Sequence, residues 1–347
     1  MKIRLAIAAV ALQVLALVYL AGQREWILHT GQTVWLRTAP VDPRDAMRGD
    51  YVRLDYEISR VPRSFWRDGL ANSNRVEEFS RGGRRVYASL RVNAEGLGEL
   101  VSLSDRQPAD GLFLRGSTES SWGETLRVQY GIEAFFMEQG RAKEMEKQIF
   151  NQRNGVPLNT QVAVSRRGVA ALKDYRWESL GLTVELETLR QTNNSRGFPQ
   201  QQTLVTGAKV ELKNHGPEPV AIVSLPAGQS FALVPDTRWG EMNYRWANET
   251  NASPAPRPED VTVLKPGESF HTRLDLTRPE WFVISTRDDS KASGPVPLKN
   301  LATDWSARFR LEYRPPPAAA CAGLPNGNLI YHGRVTSRGF NPGGMAD

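Results

Sequence analysis

Only one cysteine, Cys321, occurs in the 347 residues. That excludes an intrachain disulfide framework and any zinc site built on several thiolates. Histidine is almost as scarce. His29, His215, His271 and His332 lie far apart, with no His-x-x-x-His or His-Glu-x-x-His spacing, so no local pair of metal ligands is written into the chain. No run of five Lys or Arg occurs, and the net charge of +6 sits on basic residues scattered singly or in pairs such as Arg84-Arg85 and Arg166-Arg167. A nucleic-acid binder needs a basic stripe and a recognition motif, and no nucleic-acid partner is expected. A nucleophile elbow, a Walker loop and a dinucleotide fingerprint are also lacking. No catalytic residue set, cofactor or metal is implied.

What is present begins with one apolar run. Residues 5–22 read LAIAAVALQVLALVYLAG, broken only by Gln13. At about 1.5 Å per residue such a helix roughly spans a hydrocarbon core of about 30 Å. Lys2 and Arg4 precede it, and cationic flanks resist translocation. The expectation is a single-pass anchor (residues 1–23) with the N-terminus cytoplasmic and the rest extracytoplasmic. A cleaved signal peptide fits less well, because Tyr19 or Leu20 would occupy the upstream small-residue position of the cut site. A hydrophobic fraction of 40% with 24% charge supports packed cores beyond the anchor.

Residues 24–175 change to period two, the mark of half-buried strands. Residues 33–37 partly alternate, and the two prolines and two aspartates of residues 40–45 then make a turn. Residues 51–58 alternate cleanly, with Val52, Leu54, Tyr56 and Ile58 on one face and Tyr51, Arg53, Asp55 and Glu57 on the other. The run Arg48-Gly49-Asp50-Tyr51-Val52-Arg53-Leu54-Asp55-Tyr56 resembles the bacterial GDYXXLXY family at all five defining positions, Gly49, Asp50, Tyr51, Leu54 and Tyr56. The proline–aspartate segment before it, and residues 126–136 containing Tyr130, also resemble that family. The resemblance implies an envelope protein, often encoded beside multi-pass membrane proteins, and assigns no chemistry. The residues it singles out for binding are Arg48, Gly49, Asp50, Tyr51, Leu54, Tyr56 and Tyr130. Further strands are expected at 86–92, 99–103 and 112–115, a helix at 142–149 through Ala142, Met145 and Ile149, and a hairpin turning at Arg166-Arg167-Gly168.

Residues 176–314 read as seven or eight short strands split by turn residues, the texture of a β-sandwich. Their Leu212-to-Val220 and Leu264-to-Ser269 segments weakly resemble Ig-like modules, including the intracellular proteinase inhibitor (BsuPI) type. Residues 191–202, rich in Asn, Gln, Ser and Gly, read as a mobile loop, and residues 315–347, rich in Pro, Gly and Ala, as a partly ordered tail. The fold class is therefore mostly β with one or two short helices: an N-terminal transmembrane helix, a β-rich α+β domain and an Ig-like sandwich.

Two clusters invite chemistry. Asp42, Asp45 and Asp50 gather around the motif turn, with Arg44 and Arg48 interleaved. Paired carboxylates can divide acid and base roles, whereas interleaved arginines suit a hydrogen-bonded turn. Trp239, Tyr244 and Trp246 form an aromatic stretch suited either to a partner or to plugging a sandwich end. The expected function is a membrane-tethered scaffold or interaction protein of the bacterial envelope. An envelope hydrolase or transferase using the motif carboxylates, or an inhibitor-like module, is the alternative.

Overall fold

The computed structural model describes residues 2–39, 51–72, 76–93, 95–120, 125–136, 156–195, 198–236, 244–249, 254–286, 294–304 and 306–344. Asp42, Arg44, Asp45, Arg48, Gly49, Asp50 and the helix expected at 142–149 lie outside these residues. The chain forms two compact units, Met1–Ala142 with Asn159–Arg176, and Lys143–Leu158 with Trp177–Asp347.

The first unit opens with α1 (Lys2–Thr30), built on Ala and Leu, strong helix formers, without an internal proline. Val10, Leu12, Val14, Leu15, Leu17, Val18 and Tyr19 on it are all more than half exposed. Among the described residues no helix is long and apolar enough to cross a membrane, and the side chains of residues 1–9 and 20–21 lie outside the described set. The spanning segment expected at residues 5–22 thus rests on the sequence. The last turns of α1 behave differently. Ile27 is buried against Ala163 and Ala171, with Leu28 and Val169 packed alongside. The Gly31 amide donates to the Ile27 carbonyl at 2.8 Å, and the chain passes directly into a strand.

That strand is β1 (Gln32–Ala39), followed by β2 (Tyr51–Arg53), β3 (Asp55–Tyr56), β4 (Arg60–Pro62), the short α2 (Val76–Ser80), β5 (Arg85–Val92), β6 (Gly98–Ser104), β7 (Leu112–Thr118), β8 (Thr125–Gln129), β9 (Ala134–Phe136), β10 (Leu158–Val164) and β11 (Ala170–Trp177). They make a four-stranded sheet ordered β11-β10-β1-β3, a five-stranded sheet ordered β4-β8-β7-β5-β6, and the pair β2-β9. Leu36, Leu54, Tyr56, Leu103, Leu114, Leu126 and Ile132 are fully buried in this unit. The unbroken strand expected over residues 51–58 is corrected. The segment divides at Leu54 and coils into a 3-10 turn at Glu57–Ser59, because its two ends pair with different sheets.

The second unit contains β12 (Leu180–Ser195), β13 (Phe198–Asn214), β14 (Val220–Val223), β15 (Phe231–Pro235), β16 (Tyr244–Trp246), β17 (Val261–Leu264), β18 (Ser269–Asp275), β19 (Val283–Ser285), β20 (Phe309–Tyr313) and β21 (Val335–Thr336). Its sheets are β12-β13-β18, β14-β17, β15-β20-β21 and β16-β19. Leu182, Leu212, Phe231, Val283, Phe309 and Tyr313 belong to one continuous core. The Tyr313 hydroxyl accepts from the Val223 amide at 2.8 Å and donates to the Val223 carbonyl at 3.2 Å, tying β20 to β14.

Two expectations change here. Residues 191–195 and 198–202 are not a loop: β12 and β13 stay paired from Leu180↔Asn214 to Ser195↔Phe198, forming a long ribbon whose backbone ladder needs no apolar face. The segment after Pro315 is not a tail. Val335 pairs with Tyr313, Phe340 lies in the main core, and Cys321 and Ile330 are buried with Ala221 and Val223. Isolated apolar side chains pin a segment whose composition suggests a linker. Mostly β architecture with few short helices agrees with the sequence pattern.

Candidate functional site

The motif segment is where the pairing pattern of the first unit is most concentrated. Tyr51–Arg53 pair with Ala134–Phe136. The next residue, Leu54, donates its amide to the Glu133 carbonyl at 2.7 Å. Tyr56 and Asp55 then face Thr38 and Ala39 on β1, and Arg60–Pro62 pair with Thr125–Arg127 on β8. Twelve consecutive positions therefore join three sheets. The inside-outside alternation persists through the breaks: Leu54, Tyr56 and Ile58 are buried, while Glu57 is exposed and Asp55 half-buried.

Two tyrosine hydroxyls close this junction. Tyr56 donates to the Ile132 carbonyl at 2.9 Å, and Tyr130 donates to the Ile58 carbonyl at 2.8 Å. Thr160 lies 3.5 Å from the Tyr56 oxygen and donates to it. On the second strand segment, Glu133 accepts from the amides of Tyr130 at 2.5 Å and Gly131 at 2.9 Å. Outside the tyrosines, Arg60 meets Asp55 at 2.5 Å, with both side chains about one-fifth exposed. Burial drives both phenol pKa values well above the usual tyrosine range, and the Glu133 charge pushes the same way. Each hydroxyl is therefore a fixed, protonated donor at neutral pH. That suits holding two segments together and gives no base or nucleophile.

Of the residues singled out by sequence, Leu54, Tyr56 and Tyr130 meet in this buried junction. Tyr51 contributes backbone pairing, and Arg48, Gly49 and Asp50 lie outside the described residues. Residues 13–174 match the family model of the GDYXXLXY protein. Over this region the chain is similar to the GDYXXLXY family. The GDYXXLXY region thus runs from within α1 to the end of the first unit and contains both tyrosines. No curated protein and no solved structure matches the chain.

A second arrangement, in the other unit, carries no motif. The outer face of β12-β13-β18 forms a shallow groove lined by Thr183, Glu185, Lys209, Glu211, His271 and Arg273. Its rows are set by register, Thr183–Glu211–His271 and Glu185–Lys209–Arg273. Arg273 meets Glu187 at 2.8 Å and Lys209 meets Glu185 at 3.4 Å. Hydrogen bonds from Ser269 at 2.6 Å and Thr183 at 3.1 Å hold the Glu211 carboxyl below its ordinary pKa. The signal in the sequence was the polar alternation Thr183, Glu185, Glu187, which marks a solvated face without saying what covers it. Among the described residues, no group of His, Cys, Asp and Glu gathers to hold a metal ion.

Tyr244 and Trp246 serve the core rather than an open loop. Trp246 stacks on Trp281 with ring centroids 6.0 Å apart, and the Tyr244 hydroxyl donates to Asp304 at 2.5 Å. Trp239 lies outside the described residues.

Proposed function

We propose that this protein is a membrane-tethered scaffold of the bacterial envelope, holding partner membrane proteins or cell-wall components through its two β-rich units. One observation carries the reading. From Val10 to Tyr19, α1 exposes seven large apolar side chains around its circumference, relieved only by Gln13. A helix apolar on every side belongs in a protein core or in lipid. Leaving each such side chain in water costs about 1.5–3 kcal/mol relative to burial.

Lys2 and Arg4 favour an N-terminus on the cytoplasmic side, which places the β-rich units extracytoplasmically. Binding is preferred to catalysis because the hydroxyls of Tyr56 and Tyr130 are committed to carbonyls within the fold. Multi-pass membrane proteins are the partners this reading favours. Affinity capture of the tagged full chain from membranes solubilised in mild detergent tests it. A stoichiometric membrane or wall partner is expected, and recovery of the chain alone contradicts the reading.

A further inference from the structure

The hairpin between β10 and β11 carries two adjacent arginines, Arg166 and Arg167, both exposed. Its place follows from strand direction. β1 leaves the end of α1, and β10 runs antiparallel to it, with Gln32 opposite Val164. β10 therefore returns to the helix end, and the loop after Val164 lies on the helix side of the sheet. Packing fixes its level: Val169, just past the loop, packs with Ile27 and Leu28 of α1 on Ala163 and Ala171. The arginines consequently sit beside the last turns of the helix.

The loop is stiff. Ser165 and Gly168 close a turn through an amide–carbonyl bond of 2.9 Å, and the Ser165 amide donates to the Val169 carbonyl at 2.9 Å. Gly168 has φ +75°, the left-handed residue that a three-residue hairpin loop requires. The Arg115 amide on β7 donates to the Gly168 carbonyl at 2.7 Å, pinning the loop from the other side. Neither arginine takes part in an ion pair among the described residues. Among the described residues, two guanidinium groups without ion-pair partners thus extend from a loop whose backbone is fixed by hydrogen bonds.

The level of the loop matches a headgroup layer. If the apolar run ends at Gly22, Ile27 lies about 7.5 Å further along the helix axis. The headgroup region on one side of a bilayer is about 5–8 Å deep. Exposed Trp26 on the same turn suits that interface. We infer that Arg166 and Arg167 form a lipid-contact site, binding the phosphates of anionic phospholipids where α1 leaves the membrane. The inference rests on the tethering proposed above. It adds that the GDYXXLXY region is pressed against the bilayer surface instead of standing free of it.

The test uses the full chain in nanodiscs of phosphatidylcholine alone or with phosphatidylglycerol. Arginine modification by phenylglyoxal is followed by peptide mass spectrometry. An arginine near an anionic surface favours the bound state by about fivefold. Modification of Arg166 and Arg167 should therefore slow by about that factor in phosphatidylglycerol discs and recover at high salt. Equal rates in both discs, with the chain incorporated, overturn the lipid contact and leave the tether standing. A chain that does not enter discs overturns the tether itself, and the contact with it.

Discussion

Tyr56 and Tyr130 exchange hydrogen bonds across the junction of the first unit. Each donates to a carbonyl two residues beyond the other: Tyr56 to Ile132 and Tyr130 to Ile58. The GDYXXLXY pattern and its second block are thereby clasped face to face. The final tyrosine of the motif acts as a buried fastener.

Replacing either tyrosine with phenylalanine leaves a buried carbonyl without its donor, at a cost of about 1–3 kcal/mol. Tyr56→Phe and Tyr130→Phe should each lower the urea midpoint of the first unit with little change in slope. The double variant should fall short of the sum of the single losses, because both bonds serve one junction. Unchanged midpoints would show that the hydroxyls contribute nothing.

Alkaline pH provides a second check. Burial raises the pKa of Tyr56, Tyr130 and Tyr313 in the folded chain, against about 10 when unfolded. Above that value the native state keeps protons the unfolded state loses, so stability falls as pH rises. Below about pH 10 this contribution is fully present. Each tyrosine should add about 1.4 kcal/mol of loss per pH unit once the unfolded phenol ionises. Denaturation midpoints from pH 8 upward, followed with phenolate absorbance, should show these tyrosines ionising only on unfolding.

Gly116 lies against the same junction. A Cβ there would come 2.5 Å from Val128 Cγ1, 2.8 Å from the Gln129 carbonyl and 3.1 Å from Tyr130 Cδ1. Gly116→Ala should cost about 1–3 kcal/mol by forcing β7 and β8 apart. Gly294→Ala, where nothing lies within 4 Å, should be close to neutral. Thermal melts of the two variants side by side decide it.

Deleting residues 315–347 should damage the second unit's core, not trim its surface. The cut removes buried Ile330, Val335 and Phe340, each contributing about 1.5–3 kcal/mol. A total stability of about 5–15 kcal/mol would be largely consumed. Limited proteolysis should cleave the shortened chain within β15 and β20 under conditions the full chain survives.

Much of this was legible in the sequence wherever one face of a strand is buried. The strands expected at 86–92, 99–103 and 112–115 lie within β5, β6 and β7, and Gly168 marked the hairpin turn. The ribbon at 191–195 and 198–202 was hidden because its described polar side chains are mostly exposed, which erases the period-two signal while the backbone ladder persists. The C-terminal segment was hidden for another reason: Ile330, Val335 and Phe340 are anchors five residues apart, a spacing that matches neither the strand period of two nor the helix period of 3.6. Tyr56 could be assigned to an inward face from its alternation with Leu54. Its exchange with Tyr130 could not, since a contact across 72–76 positions leaves no local pattern.

The central claim is the tether, and topology tests it most directly. Alkaline phosphatase fused after Asp347 in the full chain should be active, and the fusion should stay in the membrane pellet at high salt and alkaline carbonate. On the proposed reading, cationic Lys2 and Arg4 would hold one end inside, and an uncleaved apolar helix would resist extraction by salt. A soluble mature form lacking residues 1–22, or a well-expressed but inactive fusion, would contradict the account.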